Sequence, residues 1–271
     1  MTDTQQQEQP RDLARQIVVI AAATFMIIAA MVGTGLFGGT AVQDLQGGAL
    51  DEDGSYLAPA SPAFSIWSAI YLGLIAYTVW QALPGQRTNS RQRAIGWWIA
   101  LTMVLNGLWL VLAQFTTLLA TVIGIVVLLV ALGLTFRISV LTRVSGAGVA
   151  DALLIDGVTG LHLGWVTLAT VANVTAWLTQ LAPAGAGDAA TGWGIAVLVV
   201  VGLIGLAIDV ASGGRVAPAL ALAWGLSWLA VARLTGEPES VGIGVTAIVV
   251  AVVVLLGAFV TKAAVLMGPR D

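Results

Sequence analysis

The chain has no cysteine, a single histidine, and only 11 basic and 14 acidic residues in 271. Without cysteine there is no disulfide, no thiolate metal site and no thiol nucleophile. One histidine, His162, with no thiolate beside it argues against a metal cage built by the protein alone. An average soluble domain is about 25% charged, whereas this chain is 9% charged. That is too little charge to solvate the surface of a globule this size, which excludes a soluble enzyme and a disordered chain. Eleven basic residues in a chain of net charge −3 form no phosphate-tracking face, so nucleic acid is excluded as a partner. What abounds instead is apolar: 58% of residues are hydrophobic, with 32 glycines besides. This is the composition of an integral membrane protein.

A hydrocarbon core of about 30 Å takes roughly 20 apolar residues per helix. Eight such runs are present, near 16–39, 63–83, 94–113, 117–137, 157–178, 193–211, 216–234 and 241–261. They are too long for strands and lack period-two alternation. The expected fold class is therefore all-α, a polytopic membrane helix bundle of about eight transmembrane helices. Gly39-Thr40-Ala41 offers small residues at a cleavable spacing, but the run before it exceeds the 7–15 apolar residues usual in a signal peptide and reads as an uncleaved anchor. Residues 1–15, with Gln5-Gln6-Gln7, read as a disordered tail, and 263–271 as a second tail.

Basic residues orient the bundle, because cytoplasmic loops concentrate Lys and Arg. With the amino terminus inside, Arg11, Arg15, Arg87, Arg91, Arg93, Arg137, Arg143, Arg215, Lys262 and Arg270 fall on the inner side and Arg233 alone on the outer. This bias needs an even number of spans and places both termini in the cytoplasm. The plasma (inner) membrane is the expected location. The long outer segment 40–62 is acidic, with Asp44, Asp51, Glu52 and Asp53.

Ten tryptophans stand out. Trp97, Trp98 and Trp193 sit at span boundaries and read as an interfacial belt. Others share helical faces with intramembrane amides. In the third span Asn106 and Trp109 are three apart, with Thr102 a turn earlier. In the fifth, His162, Trp165, Ala169, Asn173 and Trp177 form one stripe. A buried amide in lipid must find a partner, and two readings follow: helix–helix glue or a ligand site. Trp67, Asn106, Trp109, Asn173 and Trp177 all fall in the outer half, next to segment 40–62. Aromatic walls with a few amide groups suit a planar, mostly apolar ligand.

Three segments carry a family resemblance: Pro62-Ala63-Phe64-Ser65-Ile66-Trp67-Ser68-Ala69-Ile70-Tyr71, Leu105-Asn106-Gly107-Leu108-Trp109, and Trp165 followed by Ala169-Thr170, Asn173 and Trp177. In this order the series resembles the tryptophan-rich sensory protein (TspO) family, relatives of the mitochondrial translocator protein. The resemblance spans roughly residues 16–180. It implies a five-helix unit binding porphyrins and other flat lipophilic molecules, with the pocket on Trp67, Tyr71, Asn106, Trp109, Trp165, Ala169 and Asn173. Val174 stands where the family's sterol-associated tyrosine would be, so sterol binding is not carried over.

The expected organisation is a TspO-like five-helix unit over 16–181 and a three-helix appendage over 190–262. The expected function is binding of a tetrapyrrole (porphyrin or haem) or another flat lipophilic ligand, as sensor, carrier or regulator. His162 and Trp177 join the site through their shared stripe. No obligatory cofactor is expected, and no residue set supports catalysis. The partners are the lipid bilayer and a lipophilic small molecule, with a homo-oligomer left open. Two alternatives remain: a small-solute or proton-coupled transporter using Asp156 and His162, and a non-binding membrane scaffold. Asp151 and Asp209 are expected at the inner interface, paired with Arg143 or Arg215.

Overall fold

A computed structural model describes residues 8–36, 38–144, 146–183 and 185–268. It contains eight helices long and apolar enough to cross a membrane. They are α1 (Pro10–Gly33), α2 (Ile66–Ala82, entered through a 3-10 turn at Ser61–Ser65), α3 (Ser90–Phe115), α4 (Leu118–Leu141), α5 (Val149–Leu181), α6 (Gly187–Ser212), α7 (Val216–Thr235) and α8 (Val241–Met267). No strand occurs among the described residues. The chain is a multi-pass membrane protein built as a helical bundle.

Local chemistry sets the helix ends. Pro10 opens α1, where its missing N–H costs nothing, and Asp12 accepts the Gln9 backbone N–H at 2.9 Å. Asn89, Thr117 and Ser240 cap α3, α4 and α8 by accepting backbone N–H groups of the first turn. Gly213 closes α6 in the left-handed conformation.

Four helices, α1, α3, α5 and α6, begin before their apolar runs. α1 starts at Pro10, so residues 10–15 of the expected tail are helical, and Asp12 and Arg15 are buried. Arg93 grips Asp12 through two hydrogen bonds of 2.6 and 2.7 Å, and Arg15 donates to the Gln86 and Arg87 carbonyls at the α2–α3 turn. α3 and α5 likewise extend past charged residues that have found partners. Residues 1–7 and 269–271 of the expected tails lie outside the described residues.

The helices pack in the order α1, α3, α4, α5, α7, α8, α6, with α2 lying against α1 and α5. α5 is the shared element. Leu163, Trp165 and Val166 enter a core formed mainly by α1–α5, while Leu168 enters a second core with α7 and α8. At the α5–α7 crossing a Cβ on Gly164 would lie 2.1 Å from the Pro218 carbonyl oxygen. Only glycine permits so close an approach of two helix backbones. Close packing therefore joins α5 to α7 across the 181–190 segment.

The two ends of the bundle differ in charge. One end gathers Arg15, Arg87, Arg91, Arg93, Arg143 and Arg215 in mutual proximity. The opposite end carries the acidic segment and Arg233. Trp97 and Trp193 are exposed on the bundle's flank, as an interfacial belt requires.

Candidate functional site

Pro62 starts the turn that leads into α2, and from there Phe64, Trp67 and Tyr71 recur at helical spacing on one face. Trp67 stacks on Tyr71 with centroids 5.1 Å apart and planes at 22°. The Trp67 ring also meets His162 edge-on at 5.7 Å and Trp165 at 6.1 Å. Phe64 meets Trp165 at 5.6 Å. Edge-to-face and offset-stacked pairs at these distances place the positive rim of one ring near the negative face of another. The face of α2 is thereby locked to α5.

Segment 40–62 roofs this cluster and is tied down at both ends. On one side Gln46 donates to the Thr116 carbonyl at 2.7 Å, and Gln114 exchanges hydrogen bonds with the Thr40 backbone. On the other, Arg233 of α7 is fully buried and donates to the carbonyls of Glu52 (2.6 Å), Pro238 (2.9 Å) and Glu237 (3.1 Å). The Ala60 N–H donates to the Trp228 carbonyl at 3.2 Å, and the Trp224 indole donates to the Ala63 carbonyl at 2.9 Å. Trp224 and Trp228 thus hold the roof and the start of α2.

Two adjoining cavities lie beneath the roof, sharing Val42, Phe64 and Trp109. The larger, of about 460 Å³, lies between α1, α2 and α3 and is walled by Trp67, Ser68, Tyr71, Gly33 and Leu110. The smaller, of about 50 Å³, lies between α3, α4 and α5 and is walled by Trp165, Ala169, Asn173, Ile125 and the roof residues Leu50 and Pro59.

Six of the nine expected site residues line one or both cavities: Trp67, Tyr71, Trp109, Trp165, Ala169 and Asn173. His162 is buried behind Trp67, with no hydrogen-bond partner for Nε2 among the described residues. Asn106 is fully buried on α3, one turn from Trp109, and neither amide atom has a partner among the described residues. The Trp165 Nε1 is likewise unbonded. Trp177 is half-buried and lines neither cavity. Phe64, three residues before Trp67, is a wall of both cavities that the motifs alone do not assign. The roof residues carry no motif at all.

Asn173 has its amide engaged. Its oxygen accepts from Trp109 Nε1 at 3.1 Å and its nitrogen donates to Thr121 Oγ1 at 3.0 Å. One side chain thereby bridges α3, α4 and α5.

At the basic end α5 contains a π-helical stretch, Ala152–Gly157. The wider turn carries Asp156 inward, where it pairs with Arg91, with Arg215 at 2.9 Å and with Arg143 at 3.1 Å. Arg91 also pairs with Asp151. The expected pairings are corrected accordingly: Asp156, not Asp151 or Asp209, takes Arg143 and Arg215. Asp209 is buried, and neither carboxylate oxygen has a partner among the described residues. No cluster of metal-binding side chains occurs among the described residues.

Fold and site together define a polytopic membrane protein with an aromatic, loop-roofed cavity at one end of its bundle. The sequence model of the TSPO-like protein family matches residues 15–260. The chain belongs to that family, and the match runs through α6–α8 as well as the first five helices. No curated protein and no solved structure matched the chain.

Proposed function

We propose that the protein binds a flat, lipophilic molecule of the tetrapyrrole class in the cavities under the 40–62 roof, as a sensor, carrier or regulator and not as a catalyst. The observation that carries this reading is the larger cavity. About 460 Å³ lies within the ordinary range of small-molecule sites, roughly 300–1,000 Å³, and the stacked pair Trp67 and Tyr71 forms part of its aromatic wall. Trp109 and Phe64 continue that wall into the smaller cavity. A planar ring gains most from stacking on such a surface. The placement is in the plasma membrane, with both termini cytoplasmic and the roof outside, on the strength of the charge difference between the two ends.

Asn173 favours the glue reading for its own amide, since both its polar atoms are already bonded. Its role in binding is to hold Trp109. The transporter alternative draws less support, because Asp156 is held by three arginines and His162 is packed against Trp67. The test is equilibrium titration of the purified full chain with protoporphyrin, read by the shift of its absorption band. A bulky, non-planar lipophile of similar size serves as comparison. Saturable binding of the planar compound alone supports the proposal, and equal uptake of both compounds refutes it.

A further inference from the structure

A second cleft, of about 460 Å³, opens on the flank of the bundle between α4, α5 and α6. α6 packs on α8 and barely touches α5, which leaves the gap. We propose that this cleft holds an acyl chain of an anionic phospholipid from the leaflet at the basic end, with the lipid phosphate on Arg137.

Three observations carry the assignment. The first is chemical. The hydroxyls on its walls are satisfied within their own helices: Thr167 donates to the Leu163 carbonyl at 2.8 Å, Thr170 to Val166 at 2.7 Å and Ser212 to Asp209 at 3.2 Å. They turn carbon toward the cleft, which asks for hydrocarbon. The second is dimensional. The walls run from Leu163 to Val171 on α5 and from Val201 to Ser212 on α6. At about 1.5 Å per residue this is roughly 12–17 Å, close to half of a hydrocarbon core about 30 Å thick. The cleft is therefore one leaflet deep. The third is electrostatic. Arg137 lines the cleft at its basic end, is exposed, and has no ion-pair partner among the described residues. The neighbouring Arg91, Arg143 and Arg215 are occupied by Asp151 and Asp156. An unpaired cation beside a hydrocarbon slot selects an anionic headgroup over a zwitterionic one.

Gly133 provides a test that spares the fold. It lines the cleft, and a Cβ added there meets nothing within 4 Å, while leucine has a better helix propensity than glycine. The full chain is reconstituted into phosphatidylcholine bilayers doped with diazirine-acyl phosphatidylglycerol or with its phosphatidylcholine counterpart. After photolysis, labelling is read over residues 129–140 and 201–212. The expected result is several-fold more labelling by the phosphatidylglycerol probe. Arg137→Gln should bring it down to the phosphatidylcholine level, and Gly133→Leu should reduce labelling by both probes. Lys262→Gln, an exposed basic residue on α8 that does not line the cleft, should leave the preference intact. Equal labelling by the two probes, or a preference that survives Arg137→Gln, overturns the headgroup assignment. Labelling unaffected by Gly133→Leu overturns the acyl slot. Intermolecular disulfides through Gly133→Cys with no lipid labelling would show a second copy of the chain in the cleft and overturn both.

Discussion

The Asn173 amide oxygen accepts a 3.1 Å hydrogen bond from the Trp109 indole, joining α5 to α3 at the boundary of both cavities. The bond fixes the ring that the two cavities share. Because the Asn173 nitrogen reaches Thr121 on α4 as well, one residue sets the spacing of three helices.

Asn173→Leu should therefore destabilise the bundle, by about 1–3 kcal/mol, since it leaves the half-buried Trp109 N–H without its acceptor. Thr121 keeps its bond to the Leu118 carbonyl and loses less. Trp109→Phe removes the orphaned donor, so it should cost far less in the Asn173→Leu background than in the wild type. Thermal unfolding of the four proteins in one detergent measures this coupling, and additive losses would show that the bond contributes nothing.

The ion cluster at the basic end makes a second expectation. Asp156→Asn removes the anion shared by Arg91, Arg143 and Arg215, and stripping one partner from a buried charged set costs about 3–5 kcal/mol. Asp151, paired among the described residues with Arg91 alone and more exposed than Asp156, should cost less when changed to Asn. The order of the two losses in chemical unfolding checks the assignment.

Arg233→Met keeps the buried length of the side chain and removes its bonds to the roof. Amide exchange over residues 49–60 should quicken several-fold while exchange in α3 and α4 stays unchanged. Uniform acceleration would mean general loosening and not release of the roof. For the same reason, truncation after Leu181 should yield a product with weakened ligand binding, because Arg233, Trp224 and Trp228 all hold the roof from α7.

The topology predicts reporters fused at either terminus to be active only as cytoplasmic fusions, and a tag in the 40–62 segment to be reached from outside. Opposite sides for the two termini would contradict eight crossings.

Hydropathy was enough to find the eight spans, yet it placed several helix starts too late. The reason is common to α1, α3 and α5: Asp12, Arg91, Arg93, Asp151 and Asp156 end an apolar run in sequence but not in space, where each is neutralised by a residue far along the chain. Helical spacing likewise brought Trp165, Ala169 and Asn173 to one face, and the structure sets them on one cavity wall. What spacing could not reveal is how an amide is used. Asn106 and Asn173 look alike in sequence, but Asn173 is bonded twice while Asn106 is bonded to nothing among the described residues. The roof was equally illegible. Val42, Leu50 and Pro59 follow no periodicity, and their positions depend on tethers from α3 and α7.

If the aromatics under the roof form a binding site, protoporphyrin quenches the tryptophan fluorescence of the full chain. The quenching should saturate, and Trp67→Ala and Trp165→Ala should each weaken it by about 1–3 kcal/mol, the range for loss of a stacked ring. Trp97→Ala, on the exposed flank, should leave the affinity unchanged. Quenching that never saturates, or that falls equally in all three variants, would contradict a binding site there.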